Sequence, residues 1–532
     1  MSTTPAHIHD VEAQRANRQA TFYTVWGLVV SVVFSLMSDG FYQDDDITHF
    51  LLAKAGWEDP QLLFHWWARP GYNVLTMWPA HWGGFLACRL FSGVQTALVA
   101  FLSYRIARQL FGATRWTALV PVLVWLQPLV LRLSTTSLTE TPAALFLTLA
   151  VALFVHQRGL WACAAMSLVF VTRYETLALA PIWIVALMMQ AESRPSGHRL
   201  KVLRDPRVWL GTLILLWAPV AYVLAAIGLN LPMDVSPIHL FSRQYTPEYG
   251  TGPVYHMLAR WPEAAGLSLL VLAFVGLWIH RRKAALPAAL VVGLLTLQSL
   301  LFWKGGYASG GYPRFMIPVC GLVAVLASGG LRAIWEATAS KALFLCGMIA
   351  GVWLLLIAYR FPQFVPWVWV VGPAAVFVGL GALAQWAPQW AHRLRVRWLL
   401  IGLVALGALA QVAIQTRVLS LSTEPHHSVV SQAVDALKAR SEGVPRVLSQ
   451  HVLVTYLMGD QGHTCSGNGE ALRQWTEAAP GTAFVWENKY SHKPHEPQTT
   501  AALRQALRDQ GESVYLLSEG DATVEIFVRR PH

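Results

Sequence analysis

Three consecutive carboxylates, Asp44, Asp45 and Asp46, follow the first long apolar stretch of this chain. A charged side chain at mid-membrane costs about 2.5–3.5 kcal/mol even on insertion scales, so acids kept beside apolar spans mark function. In a partly apolar setting a carboxyl pKa rises, and the group can act as a general base on a hydroxyl or amine. A neighbouring carboxylate can position it or bind a metal. The competing role is structural: Asp44 would cap a short helix from Asp45 to Ala55, since Asp is a favoured N-cap.

Four further groups carry chemistry. Trp66-Trp67-Ala68-Arg69-Pro70-Gly71-Tyr72 joins a cation to aromatic faces. Glu140, in Ser137-Leu138-Thr139-Glu140-Thr141-Pro142, opens an apolar run, where a helix dipole alone would favour an acid. Arg173-Tyr174-Glu175 interrupts two apolar runs. The Arg and Glu either neutralise each other or read a phosphate and a sugar hydroxyl. Lys304-Gly305-Gly306-Tyr307-Ala308-Ser309-Gly310-Gly311-Tyr312-Pro313-Arg314 brackets glycines with two cations. Glycine lets backbone approach a ligand, and Lys304 and Arg314 suit an anionic lipid phosphate. Snorkelling of basic side chains at helix ends is the plainer alternative. His426, His427, His451, His463, His492 and His495 lack metal-ligand spacing and read as solvated or core residues.

The elements that position these groups are membrane spans. Of 532 residues, 55% are hydrophobic and only 13% charged, against about 25% charged in soluble domains. The net charge of +11 does not indicate a nucleic-acid partner, because the basic residues fall mainly in short loops on one side. With about 20 apolar residues per span, about thirteen candidates emerge. They are Thr21–Met37, Trp82–Leu102, Thr117–Leu131, Pro142–Val155, Leu160–Val171, Leu177–Met189, Val208–Leu229, Ala264–Ile279, Leu286–Trp303, Phe315–Leu331, Ala342–Ala358, Trp367–Trp386 and Trp398–Gln415. With the N-terminus cytoplasmic, inside loops hold about 19 basic residues and outside loops about 9. That orientation puts the aspartates, Glu140, Arg173, Glu175, the glycine loop and the C-terminal region on one outer face. Thr21–Met37 lacks a following small-residue cleavage site and reads as an uncleaved span.

The expected organisation is a cytoplasmic segment at 1–20, a transmembrane domain at 21–416 with an outer loop at 38–80, and an extracytoplasmic α/β domain at 417–532. In the last, Ser428–Ala439 has helical spacing, while Arg446–Leu457, Ala483–Trp486, Val514–Leu517 and Thr523–Val528 read as strands. The fold class is an α-helical polytopic membrane protein with a small C-terminal α/β domain.

Several strings resemble the GT-C superfamily of polyprenyl-phosphate-sugar-dependent glycosyltransferases, in its aminoarabinose transferase and protein O-mannosyltransferase branch. Asp45-Asp46-Ile47-Thr48-His49 is similar to its Asp-Glu-x-x-Tyr/His motif, and Arg69-Pro70-Gly71-Tyr72 to its basic-Pro-Pro-Leu stretch. Thr139-Glu140-Thr141-Pro142 resembles the acid opening its fourth span, and Arg314-Phe315-Met316-Ile317-Pro318 its Arg-Phe/Tyr-x-x-Pro segment. Two departures stand out: Asp46 replaces Glu, and Gly311-Tyr312-Pro313 replaces a His or Glu.

The resemblance implies inverting transfer of a sugar from a polyprenyl-phosphate donor to a hydroxyl or amine of a lipid, glycan or protein acceptor. Asp45 is the expected base, with Asp46 and Glu140 orienting the acceptor or holding a divalent cation. Asp44, His49, Arg69, Tyr72, Arg173, Glu175, Lys304, Tyr307 and Arg314 are expected substrate contacts. The expected setting is a bacterial inner membrane with the C-terminal domain outside. A lipid-linked glycan polymerase or ligase is the nearest rival. A transporter would show paired broken helices in repeated halves, and no repeat is evident.

Overall fold

The computed structural model describes residues 5–531 except 66, 193–204, 231–249, 307–309, 336–338, 362–366, 388, 390–397, 399–401, 403–420, 422, 441–445 and 493–496. It divides into two compact units, one of Met1–Leu36 with Leu52–Ser420 and the other of Met37–Leu51 with Leu421–His532.

The larger unit is helical. Helix α1 (Pro5–Met37) leads into the chain, and α2 (Gln43–Glu58) belongs to the smaller unit as far as Leu51. Helix α3 (Pro70–Phe111) starts at a proline and bends at Gly84, whose φ of 66° breaks the helical geometry. The apolar stretch expected as one span from Thr117 to Leu131 is instead three short helices, Arg115–Ala118, Val120–Trp125 and Pro128–Leu133. Pro121 and Pro128 each lack a backbone N–H and disfavour a helix interior, and each falls in the first turn of a new helix, where that loss is tolerated. Helices α4 (Glu140–Val155) and α5 (Gly159–Thr172) follow, joined by a three-residue turn. Later come α6 (Leu267–His280), α7 (Ala285–Lys304) and α8 (Cys320–Trp335).

Glycines set one helix crossing. A Cβ on Gly276 would lie 1.9 Å from the Leu326 carbonyl oxygen, and one on Gly330 would lie 2.0 Å from that of Leu272. Helices α6 and α8 therefore touch backbone to backbone, as small residues permit in membranes. Phe22, Trp26, Val33, Trp209, Leu213 and Leu224 are exposed. Such surface suits lipid as the solvent and would be a liability in water.

Among the described residues, five helices are long and apolar enough to cross a membrane, or up to seven if each bent pair is one span. The expected count of about thirteen is not confirmed. The segments 140–155, 159–172, 174–190 and 371–386 form shorter apolar helices. Trp398–Gln415, apart from Trp398 and Gly402, lies outside the described residues.

The smaller unit is an α/β fold. Helix α9 (Pro425–Arg440) presents Val429, Val430, Ala433, Val434 and Leu437 on one face. The sheet has β1 (Val447–Ser449), β2 (Gly462–Thr464), β3 (Ala483–Glu487), β4 (Gly511–Glu519) and β5 (Ala522–Arg529) in the order β2-β1-β3-β5-β4. β1 pairs parallel with β2 and β3, and β5 runs antiparallel to β3 and β4. Alternate strand residues face opposite ways. Val447, Val485, Val524 and Ile526 join the α9 face, while Leu448, Phe484, Trp486 and Phe527 meet Trp475, Leu503 and Leu507 on the other. Those last three come from α11 (Asn468–Thr476) and α12 (Pro497–Gln510).

Arg446–Leu457, expected as a strand, is strand only to Ser449. The imidazole Nδ1 of His451 then accepts the Leu453 N–H and starts α10 (Val452–Met458). Ile47 of α2 and the partly buried Phe41 and Leu51 belong to the core under α9.

Candidate active site

Within the larger unit, four ionisable side chains meet in the interior. Glu140 opens α4, where the helix dipole favours an acid. Arg173 ends α5 in extended conformation (φ −141°, ψ 94°), turning its guanidinium off the helix axis. Its Nη1 lies 3.0 Å from Glu140 Oε1, and its Nε donates to Glu175 Oε1 at 2.7 Å. Arg314 Nε lies 3.4 Å from Glu140 Oε1, and Gln298 Nε2 lies 3.5 Å from Glu175 Oε1. The Phe315 ring lies beneath Arg173 at 4.5 Å and beside Arg314 at 5.5 Å. All four charges are buried.

Two cations and two anions neutralise one another, as charges out of water must. Of the two roles open to Arg173 and Glu175, mutual neutralisation is the one this geometry displays, with Glu140 as a second partner. Chemically, the group is a preformed cationic pair held by carboxylates. It can take an anionic oxygen where a glutamate yields.

Neighbouring residues take other parts. The Arg69 backbone N–H donates to Asn73 Oδ1 at 2.8 Å, and its guanidinium lies 4.9 Å from the Tyr174 ring. Tyr72, expected to stack on substrate, is 1% exposed. Its hydroxyl lies 3.0 Å from the Ser137 carbonyl oxygen and 2.5 Å from the Ser137 hydroxyl, which makes it a core residue. Lys304 ends α7 exposed, its Nζ 4.1 Å from the Trp303 ring, with Gly305 as left-handed C-cap (φ 67°). That is the snorkelling arrangement. Gly311, at φ 64°, has space only for hydrogen: a Cβ there would meet His256 Nε2 at 2.6 Å. The close approach this glycine permits is to protein. Tyr307 and Trp66 lie outside the described residues.

The acidic triplet belongs to the smaller unit and occupies the first turn of α2. Gln43, just before it, has φ 61°, a left-handed conformation costly for a side-chain-bearing residue. Asp46 is fully buried, and its Oδ2 accepts the Tyr42 N–H at 3.0 Å. Asp44 lies inside α2 and so is not its N-cap, while Asp46 reaches back to the N–H of the residue before the helix. Asp45 is half-buried and His49 buried.

Asp44, placed among the substrate contacts by the sequence, has both oxygens engaged inside the unit. Oδ1 lies 2.8 Å from His427 Nε2, and Oδ2 lies 2.8 Å from Lys489 Nζ and also takes the Tyr490 hydroxyl. Burial pushes its pKa up, but His427, His451 and Lys489 outweigh that and hold it well below the usual carboxylate range. Burial raises the Tyr490 hydroxyl, and the charges of Asp44, Glu487 and Asp45 raise it further.

Three of these histidines, His426, His427 and His451, lie together, while His495 is outside the described residues. His426 stacks on His451 with centroids 5.2 Å apart, and its Nε2 lies 3.1 Å from Glu487 Oε2. His451 Nε2 lies 3.9 Å from Asp44 Oδ1. Burial lowers His451 to about 4, the carboxylates Glu487 and Asp44 opposing and the neighbouring His427 and His426 adding. The ligand atoms of Asp44, His427 and His451 all lie within 4.8 Å of one another. The sequence named Asp46 or Glu140 as metal holders. Among the described residues, Asp44, His427 and His451 form a group that could hold an ion. The available signal was the pair His426-His427 one residue before the apolar face of α9.

No protein-family profile and no curated protein matches the chain. Solved structures do. ArnT from Cupriavidus metallidurans bound to undecaprenyl phosphate is 16% identical, with 95% of this chain and 97% of that chain covered at a TM-score of 0.56. Its apo state matches at 15% identity with the same coverage and TM-score. The Archaeoglobus fulgidus oligosaccharyltransferase tethered with an acceptor peptide is 11% identical, with 96% of this chain and 74% of that chain covered at a TM-score of 0.46. Over 95% of its length, then, the chain shares the fold of that ArnT structure.

Proposed function

We propose that this chain is a membrane glycosyltransferase that moves a sugar from a polyprenyl-phosphate donor to a hydroxyl or amine of a lipid, glycan or protein acceptor. The observation that carries the reading is the fold shared with ArnT, solved with undecaprenyl phosphate, over nearly the full length of both chains. The acidic triplet at the start of α2 and the buried arginine pair supply the groups such a reaction needs.

Asp45 takes the acceptor proton as the acceptor oxygen or nitrogen attacks the anomeric carbon from the face opposite the phosphate. The carbon–oxygen bond to the lipid phosphate breaks with inversion, and the phosphate leaves with the electron pair. Arg314, Arg173 and Lys304 stabilise the charge that develops on it. Glu140 and Glu175 hold the two buried guanidiniums ready, and Asp46 fixes the turn that presents Asp45. The protein is placed in a bacterial inner membrane, N-terminus in the cytoplasm and C-terminal domain outside.

The test is transfer from a panel of radiolabelled polyprenyl-phosphate sugars by protein in lipid, wild type beside Asp45→Asn. The expected result is transfer by wild type and a loss of about 10²–10⁴-fold in Asp45→Asn, with donor binding retained. Absence of both transfer and binding for every donor overturns the enzyme reading. Undiminished transfer in Asp45→Asn overturns the choice of base. A product built by joining two lipid-linked glycans would assign the chain to polymerases or ligases.

A further inference from the structure

We propose that Asp44, His427 and His451 form a binding site for a divalent transition-metal ion of the zinc class, which clasps the 37–51 segment to the C-terminal α/β fold. The three ligand atoms lie within 4.8 Å of one another. Asp44 Oδ1 is 2.8 Å from His427 Nε2 and 3.9 Å from His451 Nε2. Zinc ligands about 2.0–2.2 Å from the ion stand about 3.3–3.5 Å apart in a tetrahedron, so adjustments of about 1 Å seat it. A water molecule completes the four, since the Asp44 side chain is 13% exposed.

A second observation is independent of that spacing. His451 is fully buried, and its Nε2, on the Asp44 side, has no hydrogen-bond partner. An unsatisfied buried polar atom is costly, and a metal bond would satisfy it. His427 is equally buried.

Lys489 and the Tyr490 hydroxyl hold Asp44 Oδ2 and leave Oδ1 for the ion. The buried Glu487–His426 pair sits against His451 and adds negative charge nearby. Two imidazoles and one carboxylate suit zinc-class ions over magnesium or calcium, which take oxygen ligands.

Two hydrogen bonds oppose binding. The one between His427 Nε2 and Asp44 Oδ1 is exchanged for bonds to the ion. His451 Nδ1 accepts the Leu453 N–H, which leaves the proton of the neutral ring on Nε2. Ligation by Nε2 moves that proton to Nδ1 and releases the Leu453 N–H, at the cost of one ordinary hydrogen bond. Structural zinc binding is far stronger than the hydrogen bonds it replaces, so the ion prevails.

The experiment titrates Co²⁺ into the full-length protein in detergent after chelator treatment. The expected result is one Co²⁺ per chain with the visible bands of four-coordinate cobalt, displaced by Zn²⁺. His427→Gln and His451→Gln should each weaken binding by about 100-fold, while His463→Gln, outside the cluster, leaves it unchanged. Absence of stoichiometric binding, or binding untouched by both cluster variants, overturns the proposal. Wild-type amide exchange over residues 44–51 guards against misfolded variants. Zn²⁺ should slow it at least tenfold, and no slowing overturns the clasp.

Discussion

His427 and Asp44 are 383 residues apart in sequence, and their Nε2 and Oδ1 atoms are 2.8 Å apart in space. The smaller unit is therefore built from both ends of the chain. Leu421 reinforces the join, its carbonyl accepting the Asp39 and Gly40 N–H groups and its own N–H donating to Ser38 Oγ at 2.9 Å.

Ile47 tests this construction. It is fully buried in the core under α9, so Ile47→Ala should destabilise the C-terminal unit by about 2–4 kcal/mol. Hydrogen exchange of the full-length protein should show faster opening in β1, β3 and β5, far away in sequence. Unchanged exchange there would mean that α2 does not belong to that core.

Glu487 ends β3 fully buried and accepts the N–H groups of Lys489, Tyr490 and Ser491 at 2.6, 2.7 and 3.2 Å. Burial raises its pKa, but the His426 bond, the His451 charge and these N–H groups outweigh that and set it below the ordinary value. Its stabilisation is thus complete above the unfolded pKa of about 4.3 and lost as pH falls through the lower folded value. Exchange at residues 489–491, corrected for intrinsic rate, should accelerate on acidification below pH 4 in wild type. Glu487→Gln should show fast exchange already at pH 7 and a flatter profile.

Removing Arg173 would strand two buried carboxylates. Arg173→Leu should lower stability by about 3–5 kcal/mol, and adding Glu140→Gln and Glu175→Gln should restore much of it. Thermal unfolding in detergent reads both effects. Equal melting of wild type and Arg173→Leu would show that the ion network contributes nothing.

Gly330→Ala should lower the melting temperature, costing about 1–3 kcal/mol, because the new methyl meets the Leu272 carbonyl at 2.0 Å. Gly372→Ala is the control, since a Cβ there meets nothing within 4 Å. It should be neutral or slightly stabilising, as Ala favours the helix.

Tyr72→Phe removes only the hydrogen bonding to Ser137. A loss of about 0.5–1.5 kcal/mol in stability is expected, with KM for donor unchanged. A large rise in KM would return Tyr72 to the substrate contacts.

Local chemistry was legible in the sequence where one segment sufficed to express it. The apolar runs read as helices because intrahelical bonds satisfy every backbone group in lipid. Glu140 at a helix start, the face of α9 and the strands Ala483–Trp486 and Thr523–Val528 followed from residue order. Pro121 and Pro128 carried the break in the third expected span, but the apolar composition outweighed them in the reading. Tertiary structure alone decided the partners. It gave Asp44 to His427, Lys489 and Tyr490, placed Arg173 between Glu140 and Glu175, and put the Tyr72 hydroxyl on Ser137. Periodicity reports which face of an element is apolar. Which distant polar atoms meet is set by packing, because a buried charge takes whichever opposite charge the fold brings within about 3 Å.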